Sequence, residues 1–207
     1  MKKKINYSIF RREVAKGINN SRVIRKMAID EANKTLQIAK TEALKDFATH
    51  PVTRELKAGP DSNNVSGTLG GRGNLFSFIG FRDGIDPTLV IQRAIQMSRI
   101  SGTPAVRQVG KNSGTFTISF NASIPSKQEL EAMTPMPFEG GRSWLTSIER
   151  GISGLSYYIY HKTKNIKGSR SGKAIQSKHP YMSGLRYKPT SYISPILRKL
   201  RDRLIRG

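Results

Sequence analysis

SGTLGGRGNLFSFIGF, residues 66–81, is the most unusual stretch of this 207-residue chain. Four glycines, at positions 67, 70, 71 and 73, lead into an apolar run that contains three phenylalanines. Glycine adopts backbone conformations that other residues avoid, so such a cluster indicates a loop with unusual turns or close backbone approaches. The apolar run that follows belongs in a core. Its aromatic content predicts a buried β-strand over 74–81, which anchors the glycine loop.

The glycine-rich stretch lacks the residues of a nucleotide-binding loop. A Walker loop places Lys and then Ser or Thr after its last glycine, to reach the phosphates and to hold magnesium. Here Asn74 and Leu75 follow instead. A dinucleotide-binding fingerprint opens a helix, whereas these glycines precede the predicted strand. We therefore interpret the loop as a pliable segment at a contact between subunits, formed by Gly67, Gly70, Gly71, Arg72 and Gly73.

Composition excludes several classes of functional site. The chain has no cysteine, which excludes disulfides and thiolate metal sites. Its three histidines are far apart in the sequence, and no Ser-His-Asp set or nuclease-like acidic cluster stands out. No stretch approaches the roughly 20 apolar residues of a membrane span, and the lysine-rich start is not followed by the apolar part of a secretory signal. We expect no cofactor, no metal ion, no catalytic residues, no membrane contact and no enzymatic activity.

The net charge of +22 is concentrated toward the two ends of the chain. Residues 1–48 carry a net +7 and residues 151–207 a net +12, whereas 49–100 and 101–150 carry only +2 and +1. This pattern indicates a nearly neutral folded body whose ends meet an acidic partner. Nucleic acid is the first candidate for that partner, and an acidic protein is the second.

A basic segment near the C-terminus has the composition of a nucleic-acid surface. Lysine and arginine contact phosphates without reading the base sequence. A solvated loop that keeps the protein soluble explains the same charges, and both interpretations stand. The expected contacts to DNA or to an acidic partner are Lys162, Lys164, Lys167, Arg170, Lys173 and Lys178.

Hydrophobic periodicity predicts an α+β fold, in which an antiparallel sheet, or a small sandwich, is packed by a long N-terminal helix and by shorter helices, with extended loops and arms. Apolar residues recur at spacings of three and four over 21–49, which predicts the long helix, and Pro51 ends it near His50. The predicted divisions are an N-terminal arm over 1–20, a core domain over 21–162, a basic extended loop over 163–190, and a C-terminal amphipathic helix over 191–207 that packs on the core.

Shorter elements follow from local signals. Asp86 and Pro87 predict the start of a helix, and its expected inner face is formed by Leu89, Val90, Ala94 and Met97. Strict alternation over 115–120, paired with a strand over 105–109, predicts an antiparallel hairpin. Ser126 with Glu129 forms a capping box for a short helix. A second short helix over 142–150, with Trp144, Leu145 and Ile148 inward, precedes a tyrosine-rich strand over 155–161.

Several motifs together resemble a known family. The long helix is followed by SGTLGG-x-GNLFSFIGF, then by GRSW and IERGISGL, and then by SRSG-x-x-IQ before the terminal helix. This order is similar to that of tailed-bacteriophage neck or tail-completion proteins, which join head to tail, and the resemblance spans residues 51–176. It implies a small α+β head–tail joining fold and a virion structural protein without enzymatic activity, assembled in the host cytoplasm.

The resemblance also implies partners. Subunits of this kind form a homo-oligomeric ring, with a hexamer favoured, around the channel through which DNA passes. The ring would bind neighbouring connector or tail proteins and touch DNA in the channel without sequence preference. The resemblance therefore predicts that the protein forms discrete oligomers, or that it assembles only together with its partners.

A second hypothesis comes from charge alone. The chain would be a non-enzymatic nucleic-acid-binding protein, ribosomal or nucleoid-like, that uses its basic ends. It would then be a monomer or dimer whose affinity falls steeply with salt. The sequence contains no RNP, KH or helix-turn-helix pattern that would support it.

Overall fold

A computed structural model shows that the protein has an α+β fold, as predicted. The residues that the structure describes are Gly17, 22–71, 73–108, 116–137, 141–151, 158–160, 175–177 and 187–206. The helices are α1 (Arg22–Thr49), α2 (Pro51–Lys57), α3 (Leu75–Ile79), α4 (Leu89–Gln96), α5 (Lys127–Ala132), α6 (Trp144–Arg150) and α7 (Ile193–Arg206). The strands are β1 (Arg99–Gln108), β2 (Phe116–Ser123), β3 (Tyr158–Tyr160) and β4 (Ile175–Ser177).

Helix α1 is the long helix predicted at 21–49, and it contacts α2, α4, α7 and β1. Its fully buried side chains are Leu36, Ala39, Ala43 and Phe47. They lie at the three- and four-residue spacings of one helical stripe. The helix ends at Thr49, because Pro51 disfavours helical backbone in the residue before it. His50 caps α2 instead, and its Nδ1 accepts a hydrogen bond from the Val52 N–H at 3.2 Å.

Helix α7 completes the core against α1. Its buried side chains are Ile193, Ile196, Leu197 and Leu200. Just before it, Tyr192 is fully buried and stacks on Phe47, with ring centroids 5.9 Å apart. The Tyr192 hydroxyl lies 2.8 Å from Thr53 Oγ1, and burial raises the pKa of its phenol well above the usual value. The phenol therefore stays neutral and hydrogen-bonded inside the core.

The apolar run of the opening stretch is a helix, and the strand predicted over 74–81 is wrong. Asn74 caps α3 through its side chain, which accepts a hydrogen bond from the Ser77 N–H at 2.7 Å. Gly80 ends the helix in the left-handed conformation, with φ 90°. All five residues of α3 are buried. Short apolar runs do not distinguish helix from strand, so the cap at each end decides.

The buried face of α4 also differs from the predicted one. The spacing predicts Leu89 and Met97 on the inner face, but they are 41% and 76% exposed, whereas Ile91 and Ile95 are fully buried. Val90 and Ala94 are partly buried against the core. Both sets of residues recur at helical spacing, so packing against α1 decides which set turns inward.

The start of α4 lies two residues beyond the predicted one. Asp86 does not cap a helix that begins at Pro87. Its Oδ1 instead accepts hydrogen bonds from the N–H and the hydroxyl of Thr88, at 2.9 and 2.6 Å. This local turn leaves Leu89 as the first helical residue.

The predicted antiparallel hairpin is confirmed, although both strands extend beyond their predicted bounds. β1 pairs with β2 from Arg99 opposite Ser123 to Gln108 opposite Phe116. The register shifts between Ser101 and Ala105. β3 pairs antiparallel with β4, so the described strands form two two-stranded sheets. The predicted domain boundaries stay a prediction, because most of 1–20 and 163–186 lies outside the described residues.

Candidate assembly surfaces

The glycine loop over 66–73 is anchored by one buried side chain, Glu55 of α2. Its Oε2 accepts a hydrogen bond from the Ser66 N–H at 2.9 Å, and its Oε1 accepts one from the Leu75 N–H at 2.6 Å. Ser66 and Leu75 flank the loop, so a single carboxyl group holds both of its ends. Glu55 was not singled out from the sequence, because nothing in PVTRELK distinguishes it from an exposed helical glutamate.

Asn64 organises the interior of the same loop. Its Oδ1 accepts hydrogen bonds from the N–H groups of Leu69 and Gly71, at 2.9 and 3.1 Å. Its Nδ2 donates to Glu55 Oε1 at 2.9 Å and to Thr68 Oγ1 at 3.0 Å. Both side chains are buried, and a buried polar network that is satisfied in this way makes a loop rigid. The loop is therefore pre-organised, whereas the sequence predicted a pliable one.

The glycines of the loop serve its backbone conformation. Gly67, Gly70 and Gly71 have φ angles of 69°, 63° and 78°, and Gly73 has 64°. A Cβ atom added at Gly67, Gly70 or Gly71 would meet no atom of the described chain within 4 Å. These glycines therefore present open backbone outward, as a contact surface would. Arg72 lies outside the described residues, and the subunit contact stays a prediction.

The chain returns from its basic segment beside the glycine loop. The Lys188 N–H donates to the Thr68 carbonyl at 2.8 Å. The ring of Tyr187 stacks on Phe78 of α3, with centroids 5.9 Å apart. The six predicted contacts to DNA or to an acidic partner lie outside the described residues, namely Lys162, Lys164, Lys167, Arg170, Lys173 and Lys178. The structure nevertheless brings the end of their segment next to the glycine loop.

Part of the positive charge of α7 is neutralised within the fold. Lys199 Nζ lies 2.7 Å from Asp46 Oδ2, and Arg203 Nη2 lies 3.2 Å from Glu42 Oε1. Both acidic partners are on α1. These exposed pairs contribute little stability, but they link two helices and reduce the charge that α7 offers to an outside partner.

Glu149 of α6 holds the start of α7. Its Oε1 accepts hydrogen bonds from the N–H groups of Ser194 and Tyr192, at 2.8 and 3.2 Å. Its Oε2 accepts from the Ser194 hydroxyl at 2.6 Å and pairs with Lys127. Burial tends to raise the pKa of Glu149, but Lys127 and the Ser194 hydrogen bonds outweigh it and hold the pKa below its usual value. Glu149, like Glu55, therefore has a structural role.

An exposed apolar patch, which we name the methionine surface, was missed from the sequence. It is formed by Ile85, Leu89, Met97 and Met133, which are 51%, 41%, 76% and 50% exposed. Two cavities of about 430 and 490 Å³ adjoin it, and both are lined by Ala94, Met97 and Met133. The sequence signal that was missed is the pair Ile91 and Ile95, which also has helical spacing and therefore also fits the inner face of α4. With that pair inward, Leu89 and Met97 turn outward.

Polar groups surround the methionine surface. Ser98 lines the smaller cavity, and its hydroxyl is buried with no hydrogen-bond partner in the described part of the chain. Glu129 lines the same cavity, and Asp86 lines the larger one together with Arg93. An unsatisfied buried hydroxyl is unfavourable.

Two further kinds of feature are absent from the residues that the structure describes. Within these residues, no group of three or more His, Asp and Glu side chains is placed to hold a metal ion. No helix in those parts of the chain combines the length and apolar character that a membrane span requires.

Among known proteins, no protein-family model, curated protein or solved structure matches the chain.

Proposed function

We propose that this protein is a structural subunit of a tailed-bacteriophage virion, which forms a closed ring in the neck or at the tail end around the DNA channel. The observation that carries this proposal is the methionine surface. Large exposed apolar patches beside cavities are typical of protein–protein contacts. We infer that another protein covers this surface. The resemblance to neck and tail-completion proteins supplies the kind of assembly.

The glycine loop supports the same proposal. It is held by Glu55 and Asn64 before any partner arrives, and pre-organisation reduces the entropy that is lost on binding. Its open glycines allow close approach of a neighbouring backbone. The basic ends of the chain would then face DNA in the channel or an acidic neighbouring protein. The proposal includes a hexameric ring, a location in the virion and binding to neighbouring connector or tail proteins.

A second candidate function is nucleic-acid binding without ring assembly. The observation that favours it is the net charge of +12 over residues 151–207. Phosphate contacts by that segment would give an affinity that falls steeply with salt. The methionine surface would have no role in this function.

Light scattering at low and high salt, followed by a gel shift with short duplex DNA, separates the two. A ring held by apolar contacts should keep one discrete mass at both salt concentrations, because salt does not weaken apolar burial. A salt-sensitive monomer that shifts short duplexes would overturn the ring proposal. Portal, sheath or tail-tube genes beside this one would provide independent support.

A further inference from the structure

We propose that residues 7–18 fold back along helix α1 of their own chain and fill the groove between α1, the β1–β2 hairpin and α7. This inference concerns the inside of one subunit, so it does not depend on the proposed ring. It gives the N-terminal arm predicted over 1–20 a different role, because most of that arm would belong to the body of its own subunit.

The groove is a large apolar cavity to which three elements contribute. Its volume is about 800 Å³, which exceeds that of either cavity beside the methionine surface. Glu31 and Arg201 also line it, and because their charges are opposite they favour neither an acidic nor a basic occupant. The apolar lining includes Ala28, Ala32, Ile100, Ile118, Phe120 and Leu204.

The first half of α1 contributes little to the core of the described residues. Among the side chains that the structure describes over 22–35, none is fully buried, and Leu36 is the first that is. This half of the helix spans about 20 Å at 1.5 Å per residue. Helices in proteins owe most of their stability to the packing of one face. A covering element is therefore expected on the side that lines the groove, where Ala28, Ala32 and Thr35 are half-buried.

The sequence before α1 has the pattern of an amphipathic helix. Four apolar residues recur at spacings of three and four, namely Tyr7, Phe10, Val14 and Ile18. At 3.6 residues per turn they fall within about 80° of one another, whereas Arg12, Lys16 and Ile9 fall on the opposite side. Gly17, which the structure describes within this segment, is helical and exposed. The apolar stripe therefore suits a groove, and the basic side suits solvent.

The position of this segment in the chain identifies it as the occupant. Only residues 19–21 separate Ile18 from Arg22, the first residue of α1, and antiparallel helix pairs are joined by loops of about two to five residues. In such a pair, each residue before the turn lies level with the residue at an equal distance after it. With the turn centred on Asn20, residues 7–12 lie level with 28–33, where α1 lines the groove.

The short connection also favours this segment over a second copy of the chain. A segment tethered by a few residues has an effective concentration on the order of millimolar at its site. The same segment of another subunit competes only at the concentration of the protein in solution. The chain's own residues should therefore occupy the groove.

Pairs of introduced cysteines test the placement directly, because the chain has no cysteine of its own. The double variant Phe10→Cys, Ala32→Cys is treated with a short bis-maleimide at low protein concentration, and we expect a cross-link within one chain. The matched control is Phe10→Cys, Asp30→Cys, since Asp30 is exposed and lies about 160° around α1 from Ala32. The first pair should cross-link at least fivefold more than the control.

Hydrogen exchange provides a second readout that needs no cross-link. Phe10→Ser removes an aromatic ring from the apolar stripe, so exchange over 28–35 of α1 should rise at least tenfold. Exchange over 43–49 should stay the same, because that part of α1 packs in the core. Arg12→Ser is the control, since the same new side chain then stands on the basic side of the segment and should change neither region.

The outcomes separate this inference from the proposed function. Equal cross-linking of the two cysteine pairs, or unchanged exchange in Phe10→Ser, overturns the inference and leaves the ring standing. Dimers cross-linked from a mixture of the Phe10→Cys and Ala32→Cys single variants, in excess over the product within one chain, also overturn it, since the segment of another subunit would then fill the groove. A wild-type chain that stays monomeric under all conditions overturns the ring and leaves the inference untouched.

Discussion

At the scale of single residues, two buried carboxyl groups decide how irregular segments are held. Glu55 gathers the N–H groups of Ser66 and Leu75 at the two ends of the glycine loop, and Glu149 gathers those before and within α7. Each carboxylate accepts hydrogen bonds from backbone N–H groups, in place of the backbone carbonyl partners that an irregular segment does not supply.

Replacing Glu55 with glutamine should destabilise the protein by about 2–3 kcal/mol, because the amide nitrogen would place a donor against the Ser66 or the Leu75 N–H. Urea unfolding measures the change. Glu42→Gln is the control, since that side chain is exposed and its loss should cost less than about 1 kcal/mol. Equal effects of the two variants would show that Glu55 does not organise the loop.

Gly70 tests whether the loop contacts another subunit. Its φ of 63° is unfavourable for residues other than glycine, so Gly70→Val should cost about 1–2 kcal/mol of folding stability. Asparagine tolerates this conformation, so Gly70→Asn should fold nearly as well while it projects a side chain outward. We expect Gly70→Asn to reduce the oligomer mass in light scattering. Unchanged assembly of this variant would remove the loop from the contact.

His50 should make stability depend on pH. Burial lowers its pKa from 6.5, and the Ser191 carbonyl and Glu149 only partly oppose this. The unfolded chain therefore binds the proton more readily, so the contribution of His50 is complete above about pH 6.5 and is lost as the pH falls through the folded pKa. Protonation would also put a hydrogen on Nδ1, which accepts from the Val52 N–H.

His50→Asn keeps a cap for Val52 and removes the titration. Urea unfolding between pH 7 and pH 5 should show a smaller loss of stability for this variant than for the wild type. The comparison isolates His50, because the pKa of Glu149 is held below 4.5 and its contribution is lost only at lower pH. Parallel curves for the two proteins would contradict the prediction.

At the scale of elements, the shorter helices depend on their ends. α3 is bounded by the Asn74 cap and by Gly80, and α5 is bounded by the Ser126–Glu129 capping box, which the sequence predicts correctly. α7 depends on a residue 45 positions away, since the Ser194 N–H donates to Glu149. Local signals therefore place the first two helices, whereas α7 begins at a contact between distant segments.

Glu149→Gln should loosen α7 before it unfolds the rest of the protein. The glutamine loses the ion pair with Lys127 and weakens the hydrogen bonds to Ser194, at a cost of about 2 kcal/mol. Hydrogen exchange should rise first over the opening turn of α7. The exposed Glu31→Gln change is the control, and the prediction fails if exchange rises uniformly over the chain.

At the scale of the whole molecule, charge and apolar surface lie on different parts of the chain. The middle is nearly neutral and contains the methionine surface, whereas most of the +22 lies in the terminal segments. A partner that binds the apolar surface of the body and a partner that binds the basic ends would therefore differ in chemistry. The proposed function uses the body for assembly into a ring and the ends for contact with DNA or an acidic protein.

Neutralising the basic segment should affect these two properties separately. Changing Lys162, Lys164, Lys167, Arg170, Lys173 and Lys178 to glutamine removes six of the +22 charges. DNA affinity should fall, and the slope of log affinity against log salt should decrease by up to about 0.9 for each phosphate that the segment no longer neutralises. The mass in light scattering should stay unchanged. A loss of oligomers would instead place the segment in the subunit interface.

The amino-acid sequence by itself determined the long helix α1, the β1–β2 hairpin, the capping box at Ser126 and the α+β class. These depend on periodicity and on caps, which act between residues up to about four positions apart. The glycines of the opening stretch were recognised as a loop for the same reason.

The helix at Leu75–Ile79 is bounded by the local caps Asn74 and Gly80, although the apolar run between them predicted a strand. Only the tertiary structure decided the inward face of α4 and the methionine surface that results from it. It also decided the role of Glu55, whose hydrogen bond with Leu75 spans 20 positions. Burial arises from contacts between distant segments, and a local pattern that fits two faces or two conformations does not choose between them. For that reason the candidate assembly surface appeared only once the helices were packed.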